Sequence, residues 1–348
     1  MTEGALPTGV VSGKGADRPP EERGAGRDDV RLLVSTPEGE TTRRFIDLAE
    51  FLRPGDLLVV NESATVPASL PARSKVGEFI VNLSTPYGRE LWVAEPRWRP
   101  DRPGPLPLDV GASLEVGGVH CTVVAPFPGI PRLVFLHADG DLVAAMRTVG
   151  EPIRYGYAAR RFPLDAYQTE FARVPGSAEM PSAGRPFTPP LLENLRSKGV
   201  DIAPIVLHTG VSSLELDDVD PRMAPVFPEP FEVPGPTAEA IRYTRSNQGR
   251  VVAVGTTVVR ALESAADSCR QIRGAKGFTR VYLGPDRPVR TVDALLTGFH
   301  DARSSHLSLL SAFVGVERIR RAYEFAARDG FLWHEFGDSH LILSASAA

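Results

Sequence analysis

Four times along the chain a short, unbroken apolar run stops at a polar residue or a glycine. The runs are Val59-Val60-Asn61, Ile205-Val206-Leu207-His208, Val252-Ala253-Val254-Gly255 and Leu295-Leu296-Thr297-Gly298-Phe299-His300. Runs of this length without alternation read as strands buried on both faces. Such strands need helices on either side, and the sequence supplies them. Thr188 begins a helix with Pro189 at its first position and Gly199 after its end. Thr237 is expected to cap a helix reaching Asn247, and Gly255-Thr256-Thr257 turns directly into a helix running through Ala265. Further helices are predicted over Ser304–Val314 and Glu317–Arg328. Strands are predicted at Arg31–Ser35, Leu57–Val60, Ile202–Leu207, Arg250–Val254, Arg280–Leu283, Val292–Leu296 and Leu341–Leu343. Alternation of this kind predicts a layered α/β domain.

The pattern breaks between residues 66 and 149. Short β-rich segments at Phe79–Leu83, Glu90–Ala94, Ser113–Val116, His120–Val124 and Leu133–Leu136 are separated by Pro and Gly turns. A helix over Asp141–Thr148 closes the region. Evenly spaced short strands predict a small β-barrel, inserted into the α/β domain of residues 29–65 and 150–348. Residues 1–28 carry almost no large apolar side chain and are expected to be disordered or loosely attached.

Composition removes several classes. The formal charge of −4 and pI near 6.0 argue against a purely electrostatic nucleic-acid binder. Cys121 and Cys269 are the only cysteines, which leaves no metal-type cysteine pair. No apolar run approaches the ~20 residues of a membrane span, and the start of the chain does not read as a signal peptide. A cytoplasmic monomer with no membrane contact is expected. Only four of 39 basic residues are lysine, so anions here meet mostly forked guanidinium groups.

The candidate chemistry sits at the strand ends, where open α/β sheets collect ligands. Gly255, Thr256 and Thr257 put backbone N–H groups and hydroxyls at a helix N-terminus, with Arg260 one turn further on. That arrangement accepts a carboxylate or phosphate, or the threonines simply cap the helix. His208 and His300 each follow an apolar strand. They are structural hydrogen-bonding residues or, if they converge, acid/base candidates. No metal ligand set and no phosphate-binding glycine loop is present. The acidic run Glu215, Asp217, Asp218 and Asp220 reads as a solvated loop.

At these same segments the chain resembles the S-adenosylmethionine:tRNA ribosyltransferase-isomerases of queuosine biosynthesis, from about Val30 to Leu343. The resemblance is carried by Leu52-Arg53-Pro54-Gly55-Asp56-Leu57-Leu58-Val59-Val60-Asn61, Tyr167-Gln168-Thr169-Glu170-Phe171-Ala172 and Pro181-Ser182-Ala183-Gly184. Leu207-His208, Val254-Gly255-Thr256-Thr257-Val258-Val259-Arg260, Phe299-His300 and Phe336-Gly337-Asp338 continue it in order. It implies an α/β domain with an inserted barrel. It also implies transfer and isomerisation of the ribosyl part of S-adenosylmethionine onto a 7-aminomethyl-7-deazaguanine in tRNA, with adenine and methionine leaving. S-adenosylmethionine is then a co-substrate, and no prosthetic group or metal is expected. The sulfonium acidifies the C5′ hydrogens, so a base can start the reaction. The resemblance implies Thr256, Thr257 and Arg260 for the methionine carboxylate and His208 or His300 for acid/base work. Asn61, Tyr167 and Gln168 are expected to orient ribose or purine. Thr169, Ser182, Gly184, Thr209, Gly255 and Phe299 complete the expected substrate-binding set.

The departures cluster at the same place. The family reads Pro-Thr-Ala-Gly-Leu-His-Phe where this chain has Arg185 and Pro186 for Leu-His, so a histidine is lost and a guanidinium gained. Arg185 is therefore a candidate catalytic residue. Two family arginines are missing from Glu62-Ser63-Ala64-Thr65-Val66-Pro67-Ala68-Ser69, which weakens expected phosphate contacts. Two alternatives follow: an S-adenosylmethionine-consuming enzyme with a small-molecule acceptor, and a non-catalytic S-adenosylmethionine-binding paralogue.

Overall fold

The computed structural model describes residues 10–98, 104–154, 156–211, 228–301 and 304–344. The acidic run at 215–220 lies outside them. A nine-stranded sheet forms the α/β domain. Its strands in spatial order are Ala275–Thr279, Glu229–Val233, Asp201–Leu207, Leu57–Asn61, Val251–Val254, Ala294–Gly298, Ser339–Leu343, Arg31–Ser35 and Glu40–Arg44. The four apolar runs are the central block, and all four are parallel. Their C-terminal ends therefore share one edge. The neighbours Glu229–Val233 and Ser339–Leu343 run antiparallel to that block, so it is their N-terminal ends that reach the same edge.

The strict period of two divides each strand between two cores. Leu57 and Val59, Val251 and Ala253, Leu295 and Ile342 pack into one layer. Leu58 and Val60, Val252 and Val254, Leu296 and Leu341 pack into the other. Helices Gly235–Ser246, Thr256–Ala265, Ser305–Val314 and Val316–Arg328 contribute apolar side chains to the first layer, and helix Pro189–Ser197 to the second. At the edge opposite the strand C-termini, Asp56 and Arg250 form a buried pair at 2.6 Å. Asp56 also accepts the backbone N–H groups of Arg53 and Arg250, so its charge is fully hydrogen-bonded.

The inserted barrel is closed, with strand order Val119–Pro126, Val134–Ala138, Leu91–Arg97, Gly77–Pro86, Ser69–Ser74 and Ser113–Val116. Closure removes the free edges that short strands would otherwise expose. Helix Leu142–Val149 packs Leu142, Ala145 and Met146 into the barrel core. The barrel meets the α/β domain through Tyr87, stacked on Phe278 at 5.6 Å, and Ser84, whose Oγ accepts the Val211 N–H at 2.8 Å.

Three expectations are corrected, and one strand was not expected. Residues 10–28 are not loose: Lys14–Gly15 pairs in parallel with Leu332–Trp333, and Val10 and Ala16 are buried. Glycine permits this close approach, since a Cβ on Gly13 would lie 2.2 Å from the Trp333 ring. The expected strand at Arg280–Leu283 is instead Ala275–Thr279, drawn by five-residue register with Glu229–Val233. Thr237 does not cap its helix. The helix starts at Gly235, and the Thr237 hydroxyl donates to the Pro204 carbonyl at 2.6 Å. Strand Ser69–Ser74 lacks an apolar run and is absent from the predicted set; it forms because the barrel needs a partner for both Gly77–Pro86 and Ser113–Val116. Among the described residues no helix is long and apolar enough to cross a membrane.

Candidate functional site

A cleft of about 200 Å³ opens where the strand ends converge. Gly255, Thr256, Thr257 and Arg260 form one wall, and Thr297, His300, Asp301 and His306 another. Ser182 and Thr209 line it as well, as do Glu229, His334 and Glu335.

The first wall follows from the sequence. Gly255 has φ +98°, a region that side chains other than glycine rarely adopt. This turn launches the ten-residue helix Thr256–Ala265 straight from the strand. Neither threonine hydroxyl caps the helix, so the plain capping reading does not hold. At the helix start the Val258 N–H donates to the Gly255 carbonyl at 3.2 Å, while Thr256 and Thr257, whose N–H groups have no acceptor inside the helix, lie on the cleft wall at the dipole's positive end. Arg260 sits one turn in. Its Nη1 pairs closely with Glu229, which is buried and also accepts the Gly210 N–H at 2.9 Å. The other terminal nitrogen, Nη2, is buried with no hydrogen-bond partner among the described residues. A buried guanidinium N–H left open beside a helix N-terminus is a site for a carboxylate or phosphate oxygen.

The second wall is a histidine group. His300 is fixed at its backbone, where its N–H donates to the Tyr323 hydroxyl at 3.2 Å and its carbonyl accepts the Trp333 indole N–H at 3.2 Å. Its Nε2 lies 3.1 Å from the Thr297 hydroxyl. The ring stacks on His306, 4.2 Å between centroids and 5° from parallel. Burial, reinforced by the neighbouring His306, holds His300 well below the ordinary histidine range. Burial and Arg260 push His306 down to about 4. Both rings are therefore held in the neutral form at pH 7. Across the cleft His334 has φ +72° and stacks on Tyr157 at 4.2 Å. Next to it, burial pushes the Glu335 carboxyl up to about 7.

Among the expected residues, the structure brings together Ser182, Thr209, Gly255, Thr256, Thr257, Arg260 and His300. It places the others elsewhere. His208 is outside the cleft: its Nδ1 lies 2.7 Å from the Ser63 hydroxyl, which also contacts Ser177. Arg185 is buried away from the cleft. It donates to the Ala166 carbonyl at 2.9 Å and to both oxygens of Glu21, and packs over the Phe336 ring. The guanidinium gained in that loop thus anchors the N-terminal segment. Asn61 holds the Leu207 backbone, giving an N–H to its carbonyl at 2.8 Å and accepting its N–H at 3.0 Å. Gln168 does the same to Thr65, at 2.8 and 3.1 Å. Both amides are consumed by backbone. Tyr167 packs on Phe336, and Thr169 accepts the Phe171 N–H at 3.2 Å. Gly184 is buried against Phe171 and Thr169. Phe299 is core, stacked on His340.

Sequence reasoning missed Glu229, His306, His334 and Glu335. Glu229 starts an antiparallel strand and the 334–335 pair lies in the turn between Leu332–Trp333 and Ser339–Leu343, and a search of the apolar strand C-termini passes over both. His306 carried a usable signal, lying six residues after His300 in the first turn of a predicted helix. Among the described residues no group of three or more His, Cys, Asp or Glu side chains is placed to hold a metal ion.

Fold and cleft together define a layered α/β protein with an inserted barrel and a cleft at its parallel strand ends. The family described as Queuosine biosynthesis protein matches residues 11–342, and the chain belongs to it. An S-adenosylmethionine:tRNA ribosyltransferase-isomerase of Thermus thermophilus is 40% identical over 324 residues, covering 91% of this chain and 93% of its own. One from Moorella thermoacetica is 39% identical, covering 97% of each. A crystal structure of S-adenosylmethionine tRNA ribosyltransferase from Thermotoga maritima aligns over 97% of this chain and 98% of its own, with 26% identity and a TM-score of 0.49.

Proposed function

We propose that this chain is an S-adenosylmethionine:tRNA ribosyltransferase-isomerase acting in the cytoplasm. It transfers and isomerises the ribosyl group of S-adenosylmethionine onto a 7-aminomethyl-7-deazaguanine in tRNA, with loss of adenine and methionine. The observation that carries the reading is the open Arg260 Nη2 beside the Thr256–Ala265 helix start, in a chain matched to this family over nearly its whole length. In this reading Arg260 and the helix start take the methionine carboxylate. His300, the expected histidine that lies in the cleft, takes the C5′ proton made acidic by the adjacent sulfonium. Its backbone anchors on Tyr323 and Trp333 keep the ring in place without help from substrate.

The test is mass spectrometry of the purified protein with S-adenosylmethionine, with and without tRNA carrying the aminomethyl base. Release of adenine and methionine with a tRNA mass gain supports the reading. Adenine release with no tRNA product moves the acceptor to a small molecule. Binding without turnover on either arm makes the chain a ligand-binding paralogue. His300→Ala is expected to slow turnover by about 100-fold or more while S-adenosylmethionine still binds within a few-fold of wild type. Undiminished turnover removes the catalytic role.

A further inference from the structure

Beside Arg260 Nη2, the cleft contains two more buried polar atoms with no partner among the described residues, Ser304 Oγ and Glu335 Oε2. Glu335 Oε2 is enclosed and makes no hydrogen bond, although the cleft supplies donors on its other wall. The Glu335 side chain comes from the loop before strand Ser339–Leu343, whose neighbours are fixed: Gly337 donates to the His334 carbonyl at 2.9 Å, and Asp338 Oδ2 accepts the Leu332 N–H at 2.8 Å. A built loop thus holds a carboxylate with one open oxygen. The same cleft holds a guanidinium with one open terminal nitrogen. A carboxyl with an open oxygen, and a guanidinium whose Nη2 stays open beside its pairing with Glu229, match a ligand that carries both signs.

We propose that Glu335 receives the cationic part of S-adenosylmethionine while Arg260 and the helix start receive its carboxylate, which makes Glu335 a specificity-determining residue of this site. The inference rests on the assignment of S-adenosylmethionine to the cleft. A buried carboxylate left unpaired is costly, because its charge has lost water without gaining a counter-ion. Burial raises the Glu335 carboxyl toward neutrality, as expected for a group whose counter-ion arrives with the ligand. The cation is either the sulfonium or the α-ammonium, and both are available within one molecule.

The experiment is equilibrium binding by calorimetry with three ligands. S-adenosylmethionine carries sulfonium, ammonium and carboxylate. S-adenosylhomocysteine keeps only the last two, and 5′-methylthioadenosine has none. Glu335→Gln keeps the shape and removes the charge. It is expected to weaken S-adenosylmethionine at least ten-fold and leave 5′-methylthioadenosine unchanged. An equal loss on S-adenosylhomocysteine assigns the ammonium, and a loss confined to S-adenosylmethionine assigns the sulfonium. Glu335→Asp, which keeps the charge on a shorter stem, is expected to retain part of the affinity. No loss with Glu335→Gln, or the same loss on all three ligands, overturns the proposal. Arg260→Ala serves as the control. If it weakens S-adenosylmethionine while Glu335→Gln does not, only the Glu335 assignment fails. If the wild-type chain binds none of the three, the site assignment fails with it.

Discussion

Arg260→Ala is expected to raise the dissociation constant for S-adenosylmethionine by roughly 10- to 100-fold. A charge-assisted hydrogen bond to a carboxylate contributes about 1.5–3 kcal/mol, and the open Nη2 is the group placed to make it. The same change strips Glu229 of its ion-pair partner. Glu229 is 1% exposed in its side chain, and the Gly210 N–H would remain as a donor to it. Removing one member of a buried pair costs about 3–5 kcal/mol. Arg260 is itself 17% exposed, so the lower part of that range is expected. The two effects separate in a double variant. Glu229→Gln combined with Arg260→Met removes both charges and should restore much of the stability, while affinity stays low. Denaturant unfolding and calorimetric binding on wild type, Arg260→Ala and the double variant check this. Wild-type affinity in Arg260→Ala would end the carboxylate assignment.

The second large effect is acid lability. Burial pushes His340 down to about 3, with Arg318 adding to the effect, and pushes His306 down to about 4, with Arg260 adding. A histidine lowered in the folded state binds its proton first in the unfolded chain. Stability is therefore intact above the unfolded value near 6.5 and is lost as pH falls from there toward the folded value. By pH 4 each of the two accounts for about 3 kcal/mol, against a usual total of about 5–15 kcal/mol. His208, His300 and His334 are lowered as well and act in the same direction. Glu335 acts oppositely: its raised carboxyl favours the fold at low pH and the benefit is lost as pH rises through about 7. The clean measurement is consequently a difference. His340 lies in the core, stacked on Phe299, with Nε2 2.8 Å from the Ser35 hydroxyl and Nδ1 without a partner. His340→Met fills the space without a titrating group and leaves Ser35 short of one bond, a cost of about 1 kcal/mol at pH 7. Its loss of unfolding free energy between pH 7 and pH 4 should be smaller than wild type by about 3 kcal/mol. An equal loss in both proteins would show that His340 does not contribute.

Local patterns carried far in this chain because the central strands are buried on both faces. Val59-Val60, Val252-Ala253-Val254 and Leu295-Leu296 read as inner strands and are, and Gly255-Thr256-Thr257 reads as a turn into a helix and is one. The strand ends, the barrel and the helix terminus facing the cleft were legible for that reason. Side-chain placement was legible only where one local element decides it. Thr256, Thr257 and Arg260 share a helix turn and reach the cleft together. Asn61 and Gln168 looked available, yet backbone from distant segments, Leu207 and Thr65, consumes both. Arg185 met Glu21, 164 residues away, in a segment whose composition reads as loose.

The sequence by itself determined which runs are buried strands, where the chain turns at Gly255 and that a helix starts there. Those properties depend on neighbours a few residues apart. Only the tertiary structure decided that His300 and not His208 enters the cleft, and that Glu229, His334 and Glu335 join it. That outcome depends on strand direction: antiparallel neighbours deliver their N-terminal ends to the edge where parallel strands deliver their C-terminal ends, and direction is set by pairing across the sheet.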